Sequence, residues 1–323
     1  NNVLDISIGK NHTMLLTTKG KVLTSGLNSY GQTGKTEGKT NIFTQIEVPA
    51  TVGKIAAGDN HSVLLTTNGE VYTFGYNENG QLGLGTKTNV TKPTKTNMTD
   101  IMEISAGRNH TVVLGANRVL YSTGSNSNGQ LGIGTKDDKL LFTEITKVQD
   151  MMSISSGNTY SVAIKYDGDV YGWGYNYYGQ LGTNRSSGFN ANVRPTKMQK
   201  ITDIIQISAG ENYVTMLRAD GTVWSVGYNG NGQFGINNTN TYYLPQQMKN
   251  EDGTDVLRNI KKVSAGAIHT LVLAEDGTAY AVGYNGYGQL GTKNTNTTYL
   301  PVKMVNEDGE VASNIKDIEA NGY

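Results

Sequence analysis

Cysteine is absent from this 323-residue sequence, which excludes a disulfide scaffold and a thiol nucleophile. Proline occurs only five times. Charged residues make up 17% of the chain, and 27 Lys and Arg balance 27 Asp and Glu to a net charge of zero. A neutral chain with no basic tail is a poor fit to phosphate-driven nucleic-acid binding, so no nucleic-acid partner is expected. No apolar run approaches the ~20 residues that span a bilayer, so no membrane insertion is expected. A charged segment followed by an apolar core does not open the chain, so a signal peptide is absent or already removed. Phosphate loops of the Gly-Lys-[Ser/Thr] type and the Gly-x-Ser-x-Gly elbow are missing too.

Glycine and tyrosine are what the chain has in surplus: 41 Gly, and 19 Tyr against five Phe and two Trp. The glycines do not fall every third residue, which excludes collagen. They mark an internal repeat instead. A first motif runs Gly9-Lys-Asn-His12, Gly58-Asp-Asn-His61, Gly107-Arg-Asn-His110, Gly157-Asn-Thr-Tyr160, Gly210-Glu-Asn-Tyr213 and Gly266-Ala-Ile-His269. A second, Gly-x-Asn-x-x-Gly-Gln-x-Gly, follows each copy, at 26–34, 75–83, 124–132, 174–182, 227–235 and 283–291. Six copies of both motifs in one order define repeats of about fifty residues. Their approximate bounds are 1–49, 50–98, 99–149, 150–202, 203–258 and 259–313.

Each repeat reads as about four short strands. In 54–83, the segments Ile55–Ala57, His61–Thr66 and Glu70–Phe74 are β-branched, apolar or alternating. Asn68-Gly69 between the last two predicts a type I′ hairpin turn. The third copy has Arg118 where this turn needs glycine, so a distorted turn is expected there. A weaker fourth strand is expected at Phe43–Val48, Phe142–Val148 and Pro301–Val305. Pro93, Pro195, Pro245 and Pro301 suit an edge strand, where a missing N–H breaks no ladder. Four-stranded units of this length are β-propeller blades. A single blade cannot bury both faces, so the expectation is one all-β propeller domain over 1–323. Ile315 to Tyr323 matches the opening strand of a further repeat, as in Ile204–Tyr213. That match suggests a fragment, or an array cut in its seventh repeat.

The paired motifs Gly-x-x-His-[Ser/Thr] and Gly-x-Asn-x-x-Gly-Gln-Leu-Gly resemble the repeat of the regulator-of-chromosome-condensation family. The resemblance covers essentially the whole chain, in the style of bacterial members. It implies a propeller, seven-bladed in the best-known members. It also implies one of three roles: a nucleotide-exchange factor for a small GTPase, an inhibitor that presses loops onto an enzyme, or a surface recognition module. The missing basic tail and the regular spacing speak against exchange. The composition fits the other two, and with them an extracellular or cell-surface setting.

The four histidines, His12, His61, His110 and His269, share one repeat position. A metal ring is the sharper reading and a repeated structural hydrogen bond the plainer one. Tyr160 and Tyr213 at the same position keep a hydrogen bond but suit zinc poorly, so no metal or cofactor is expected. Gln32, Gln81, Gln130, Gln180, Gln233 and Gln289 recur with Asn28, Asn77, Asn126, Asn176, Asn229 and Asn285. Identity in all six copies points to amides that satisfy the loop's own backbone. A partner would instead be met by the loop positions that vary. These include Tyr30, Glu78, Tyr177, Tyr178 and Tyr287, predicted on one rim, since tyrosine offers large contact area at low entropic cost. Tyr76, Tyr175, Tyr228 and Tyr284 read as packing between blades. The functional expectation is a non-enzymatic, protein-binding scaffold. A glycan- or small-ligand-binding propeller is the alternative, and exchange activity stands behind both.

Overall fold

The computed structural model describes residues 2–36, 38–186 and 191–321. These residues form six four-stranded antiparallel sheets, spanning 3–45, 52–95, 101–144, 151–197, 204–247 and 260–303. Each sheet is a meander in chain order. The first contains Val3–Ile8, His12–Thr17, Val22–Gly26 and Thr40–Gln45. No helix occurs among the described residues. The fold is therefore an all-β, six-bladed β-propeller, and each sequence repeat is one blade.

The molecule divides into two compact units. One comprises Asn1–Ser161, Trp173–Tyr175 and Ala191–Pro195; the other comprises Val162–Gly172, Asn176–Asn190 and Thr196–Tyr323. Within each unit the core lies between neighbouring blades. In the first unit, Leu64 of His61–Thr66 packs with Met14, Leu16 and Phe74, while its chain neighbours Val63 and Leu65 pack with Ile101, Ile104 and Val113. Alternate residues of a strand point to opposite sides of the sheet. One strand therefore feeds two inter-blade cores, which is why the second strands read as continuous apolar runs. In the second unit, Leu217 and Val223 meet Ile260, Val263 and Val272 in the same way.

The first strand of the first blade is less buried than its counterparts. Val3, Leu4 and Ile6 are exposed, Leu4 at 56%. His12–Thr17 alternates buried and half-buried, whereas His61–Thr66 is buried throughout.

The hairpin turn differs from expectation. Gly69 N–H donates to Thr66 O (3.0 Å) and Thr66 N–H to Glu70 O (2.9 Å). Gly69 has a left-handed φ of 81°, and Asn68 has no positive φ. A type I′ turn needs both residues left-handed, so the loop is a tight turn followed by one left-handed residue. The third blade keeps this turn undistorted. Arg118 N–H donates to Gly115 O (2.9 Å), Arg118 adopts φ 62°, and Asn117 Oδ1 accepts from Val119 N–H (3.1 Å). The tight hydrogen bonding imposes the conformation, and the arginine bears the strain.

The fourth strands begin earlier than expected, at Thr40–Gln45, Lys139–Glu144 and Thr298–Lys303. Pro93, Pro195, Pro245 and Pro301 do lie on edge strands. Residues 315–320 occupy no sheet; Gly322 and Tyr323 fall outside the described residues. Arg118→Gly is expected to raise the unfolding free energy by about 1 kcal/mol, by removing a left-handed non-glycine residue. Urea denaturation of the two proteins measures this.

Candidate functional site

The Gly-x-x-His turn brings each second strand back over its glycine. Gly58 N–H donates to His61 O (2.9 Å). A Cβ on Gly58 would stand 2.2 Å from His61 Cε1 and 2.5 Å from Gly107 O, so only glycine lets the imidazole lie flat here. Each ring then reaches the following blade. His12 Nε2 lies 2.9 Å from Ser62 Oγ, whose proton goes to Gln32 O (2.8 Å). Because serine spends its one proton on that carbonyl, it accepts from the imidazole, and the Nε2–H tautomer follows. The relay repeats through His61, Thr111 and Gln81 O (3.0 and 2.7 Å), and through His110, Ser161 and Gln130 O (2.9 and 3.1 Å). In the second unit Tyr213 takes the histidine's place. Its hydroxyl donates to His269 O (2.5 Å) and lies 3.0 Å from Thr270 Oγ1, which donates to Gln233 O (2.9 Å).

The rings of His12, His61 and His110 thus donate within the fold, each to the next blade. Nδ1 of His12, His61, His110 and His269 is buried without a hydrogen-bond partner. Burial pushes the pKa of His12 and His269 down to about 4, and of His61 and His110 down to about 3, with the neighbouring His110 and His12 adding to the effect at His61. Among the described residues no group of three or more His, Cys, Asp or Glu is placed to hold a metal ion.

The Asn-Gln loop follows each third strand. Asn77 Oδ1 accepts from Leu82 N–H (3.0 Å), and Asn77 Nδ2 donates to Thr86 O and Thr88 O (both 3.0 Å). Gln81 Oε1 accepts from Asn79 N–H (3.1 Å). The asparagine bond recurs at Asn28, Asn126, Asn176, Asn229 and Asn285, and the glutamine bond at Gln32, Gln130, Gln180, Gln233 and Gln289. The amides thus form a rigid frame, and the residues between them are free to vary.

On that frame stand the tyrosines. In the second unit Tyr177 and Tyr178 meet edge to face (5.1 Å between centroids), and Tyr178 meets Tyr228 of the next blade likewise (5.1 Å). Tyr177 is exposed and Tyr178 half-buried beneath its neighbours. Tyr243 joins them: its ring lies against Gly179 of the same loop, and it is itself exposed. Tyr287 is 78% exposed and meets Tyr284 (6.0 Å). In the first unit Tyr30 meets Tyr76 of the next blade (4.9 Å), and Tyr76 Oη–H donates to exposed Glu78 (3.1 Å). Tyr76 and Tyr228 therefore pack between blades and also complete the exposed clusters.

Motif reading missed Tyr243, and with it exposed Tyr299 over Gly232. Both sit at the second residue of a fourth strand, a weak signal in a segment that varies in sequence.

Sequence models of known families recognise the same frame. Residues 1–203 match the RCC1-like domain, and residues 220–273 and 276–321 match the regulator of chromosome condensation (RCC1) repeat. The chain belongs to the RCC1-like family. It is 34% identical over 110 residues to the ultraviolet-B receptor UVR8 of Arabidopsis thaliana, a stretch that is 34% of this chain and 24% of that protein. It is 28% identical over 128 residues to the regulator of chromosome condensation of Xenopus laevis, or 34% of this chain and 28% of that protein. These matches thus span about a quarter of each relative. Among solved structures, human WBSCR16 superposes with a TM-score of 0.87 at 20% identity, covering 100% of this chain and 85% of that one. Prp20p of Saccharomyces cerevisiae superposes at 0.85 and 21%, covering 99% and 80%. These two solved structures share the propeller fold of this chain.

Other polar groups in this RCC1-like chain are spent internally. Burial pushes Glu103 up, and it accepts from Ser153 Oγ–H (2.9 Å). A shallow groove beside Trp224 holds Lys197 and Arg218, but Asp169 pairs with the lysine and Asp203 (3.2 Å) and Asp220 (3.4 Å) with the arginine.

Two outcomes follow from the relay. Ser62→Ala strands the His12 donor and the Gln32 carbonyl, and is expected to cost about 1–3 kcal/mol in urea denaturation. Acid should also destabilise the fold. The histidines' folded pKa lies below the unfolded value of 6.5, so the unfolded chain binds more protons below that pH. Stability is full above about 6.5 and falls as pH drops towards 4 to 3, about tenfold in the folding constant per pH unit for each histidine. Urea midpoints across that range check it, and His110→Tyr should shallow the slope.

Proposed function

We propose that this chain is a non-enzymatic protein-binding scaffold, acting as one propeller domain and recognising its partner through the variable positions of the Asn-Gln loops. The observation that carries this reading is the Tyr177, Tyr178, Tyr228 and Tyr243 cluster. Four tyrosines gather at adjoining blades of one unit, with Tyr177 and Tyr243 exposed, on a loop whose frame is held by its own amides. Rigid aromatics pre-positioned in this way bind at low entropic cost. Membership of the RCC1-like family supports a scaffold as well. The solved structure of Prp20p is described together with that protein's binding to Gsp1p and histones, a precedent for protein partners on this fold.

Low charge and an Asn-, Thr- and Tyr-rich composition support an extracellular or cell-surface setting, of the kind expected for bacterial members, although the relatives named above are plant, animal and yeast proteins. Glycan stacking is the second reading, favoured by the exposed ring of Tyr287. Exchange on a small GTPase draws only on the family's repeat frame.

Pull-down with wild type and the Tyr177→Ala/Tyr178→Ala pair tests the first reading. Recovery of the partner should fall at least tenfold with the fold intact by circular dichroism. Unchanged recovery sinks it, and loss of binding to a glycan array instead would favour the second.

A further inference from the structure

The groove beside Trp224 lies wholly in the second unit. Its volume is about 680 Å³, within the range of small-molecule sites. Buried Met198 and Ile201 and half-buried Trp224 give it an apolar lining.

Here the fifth blade departs from the repeat. The second residue of the third strand is Leu23, Tyr72, Tyr121, Tyr171 and Tyr280 in the other blades, and tryptophan only in this one. Across from that residue the second and sixth blades set Lys95 and Lys303, and Lys303 Nζ stands 5.9 Å from the centre of the Tyr280 ring. The fifth blade has Gln247 there, so no lysine of its fourth strand stands by the indole. The last residue of the second strand is likewise arginine only here, at Arg218.

A chain of bonds fixes the indole and the rim around it. Trp224 Nε1–H donates to Thr222 Oγ1 (3.1 Å), and Thr222 Oγ1–H donates to Asp220 Oδ1 (2.6 Å). Arg218 pairs with Asp220 (3.4 Å) and Asp203 (3.2 Å), and Thr202 Oγ1–H donates to Asp203 Oδ2 (2.9 Å). Lys200 lines the groove from a left-handed φ of 57°, a strained conformation for lysine, and no acid pairs with it among the described residues.

Charge and chemistry narrow the occupant. Lys197, Lys200 and Arg218 are matched in number by Asp169, Asp203 and Asp220, so the groove has no net charge to draw an ion. A wholly apolar ligand would dehydrate the charged rim without replacing its hydrogen bonds. A neutral pyranose meets both demands, because its C–H face covers an indole while its hydroxyls donate and accept at the edge. A guanidinium and two carboxylates have more donor and acceptor positions than the bonds above use.

We infer that this groove binds a neutral oligosaccharide, with one pyranose ring stacked on Trp224 and its hydroxyls held by Asp203, Arg218 and Lys200. The inference does not rest on the tyrosine loops. Trp224 stands near the hairpin end of its third strand, whereas the Asn-Gln loop leaves the other end after Gly227.

An array of neutral, sialylated and sulfated oligosaccharides, probed with the full chain, supplies the ligand. The neutral oligosaccharide of highest signal is then titrated by calorimetry and by tryptophan emission. Trp173 is fully buried, so a saturable change in emission reports Trp224. Trp224→Ala should weaken binding about tenfold or more with circular dichroism unchanged. Trp224→Tyr, the residue of four other blades, should retain most of it. Lys200→Gly, which also relieves the left-handed backbone, should weaken it about threefold. The Tyr177→Ala/Tyr178→Ala pair should bind as wild type. The inference is overturned by absence of neutral-oligosaccharide binding, by preference for the charged ones, or by binding unchanged in Trp224→Ala or Lys200→Gly. A loss in the tyrosine pair equal to that in Trp224→Ala overturns it too.

Discussion

Ser62 stands between the imidazole of His12 and the carbonyl of Gln32, two groups of the blade before it. That one hydroxyl ties together the turn that begins a second strand, the loop that follows a third strand, and the next sheet. Ser62, Gln32 and His12 are buried, so each polar group must find its partner there or bear a full desolvation cost. Glycine is required beneath the ring, the backbone carbonyl at the loop's glutamine position must face it, and the second strand must begin with a ring and then a hydroxyl. The Gly-x-x-His-[Ser/Thr] part of the repeat motif is a consequence of this constraint, and the Asn-Gln part answers to the loop's own backbone. Tyr213 shows its tolerance: a phenol reaches the same neighbour with different geometry.

Apolar packing follows the same logic at lower specificity. Each blade hands alternate side chains to two neighbours, so its stability is borrowed from both sides. Where a neighbour's cover is missing, apolar residues stay exposed, as at Leu4 and Ile6 of the first blade.

A rigid frame also explains how function can vary without disturbing the fold. Asn77 and Gln81 satisfy the loop backbone from within, so Glu78 and Asn79 carry little structural duty. The same holds at Asn176 and Gln180, where the freed positions hold Tyr177 and Tyr178. Family likeness therefore resides in the frame, and the positions it leaves free are those that can vary without disturbing the fold.

The repeat, the four strands of each blade and the edge position of the prolines were legible in the sequence, because each depends on local geometry repeated six times. Pattern reading failed where hydrogen bonding overrode a residue's preference. Arg118 holds a left-handed turn that glycine would hold more easily, and Asn68 does not take the conformation its pairing with Gly69 suggests. It failed again where residues distant in sequence meet. Tyr178 meets Tyr228 of the next blade's loop, and Tyr243 of that blade's fourth strand lies against Gly179, and no spacing along the chain announces either contact. The sequence by itself determined which groups each blade must bury, since a four-stranded sheet with these residues cannot satisfy them alone. Only the tertiary structure decided which tyrosines share a surface, because that depends on stacking between sheets.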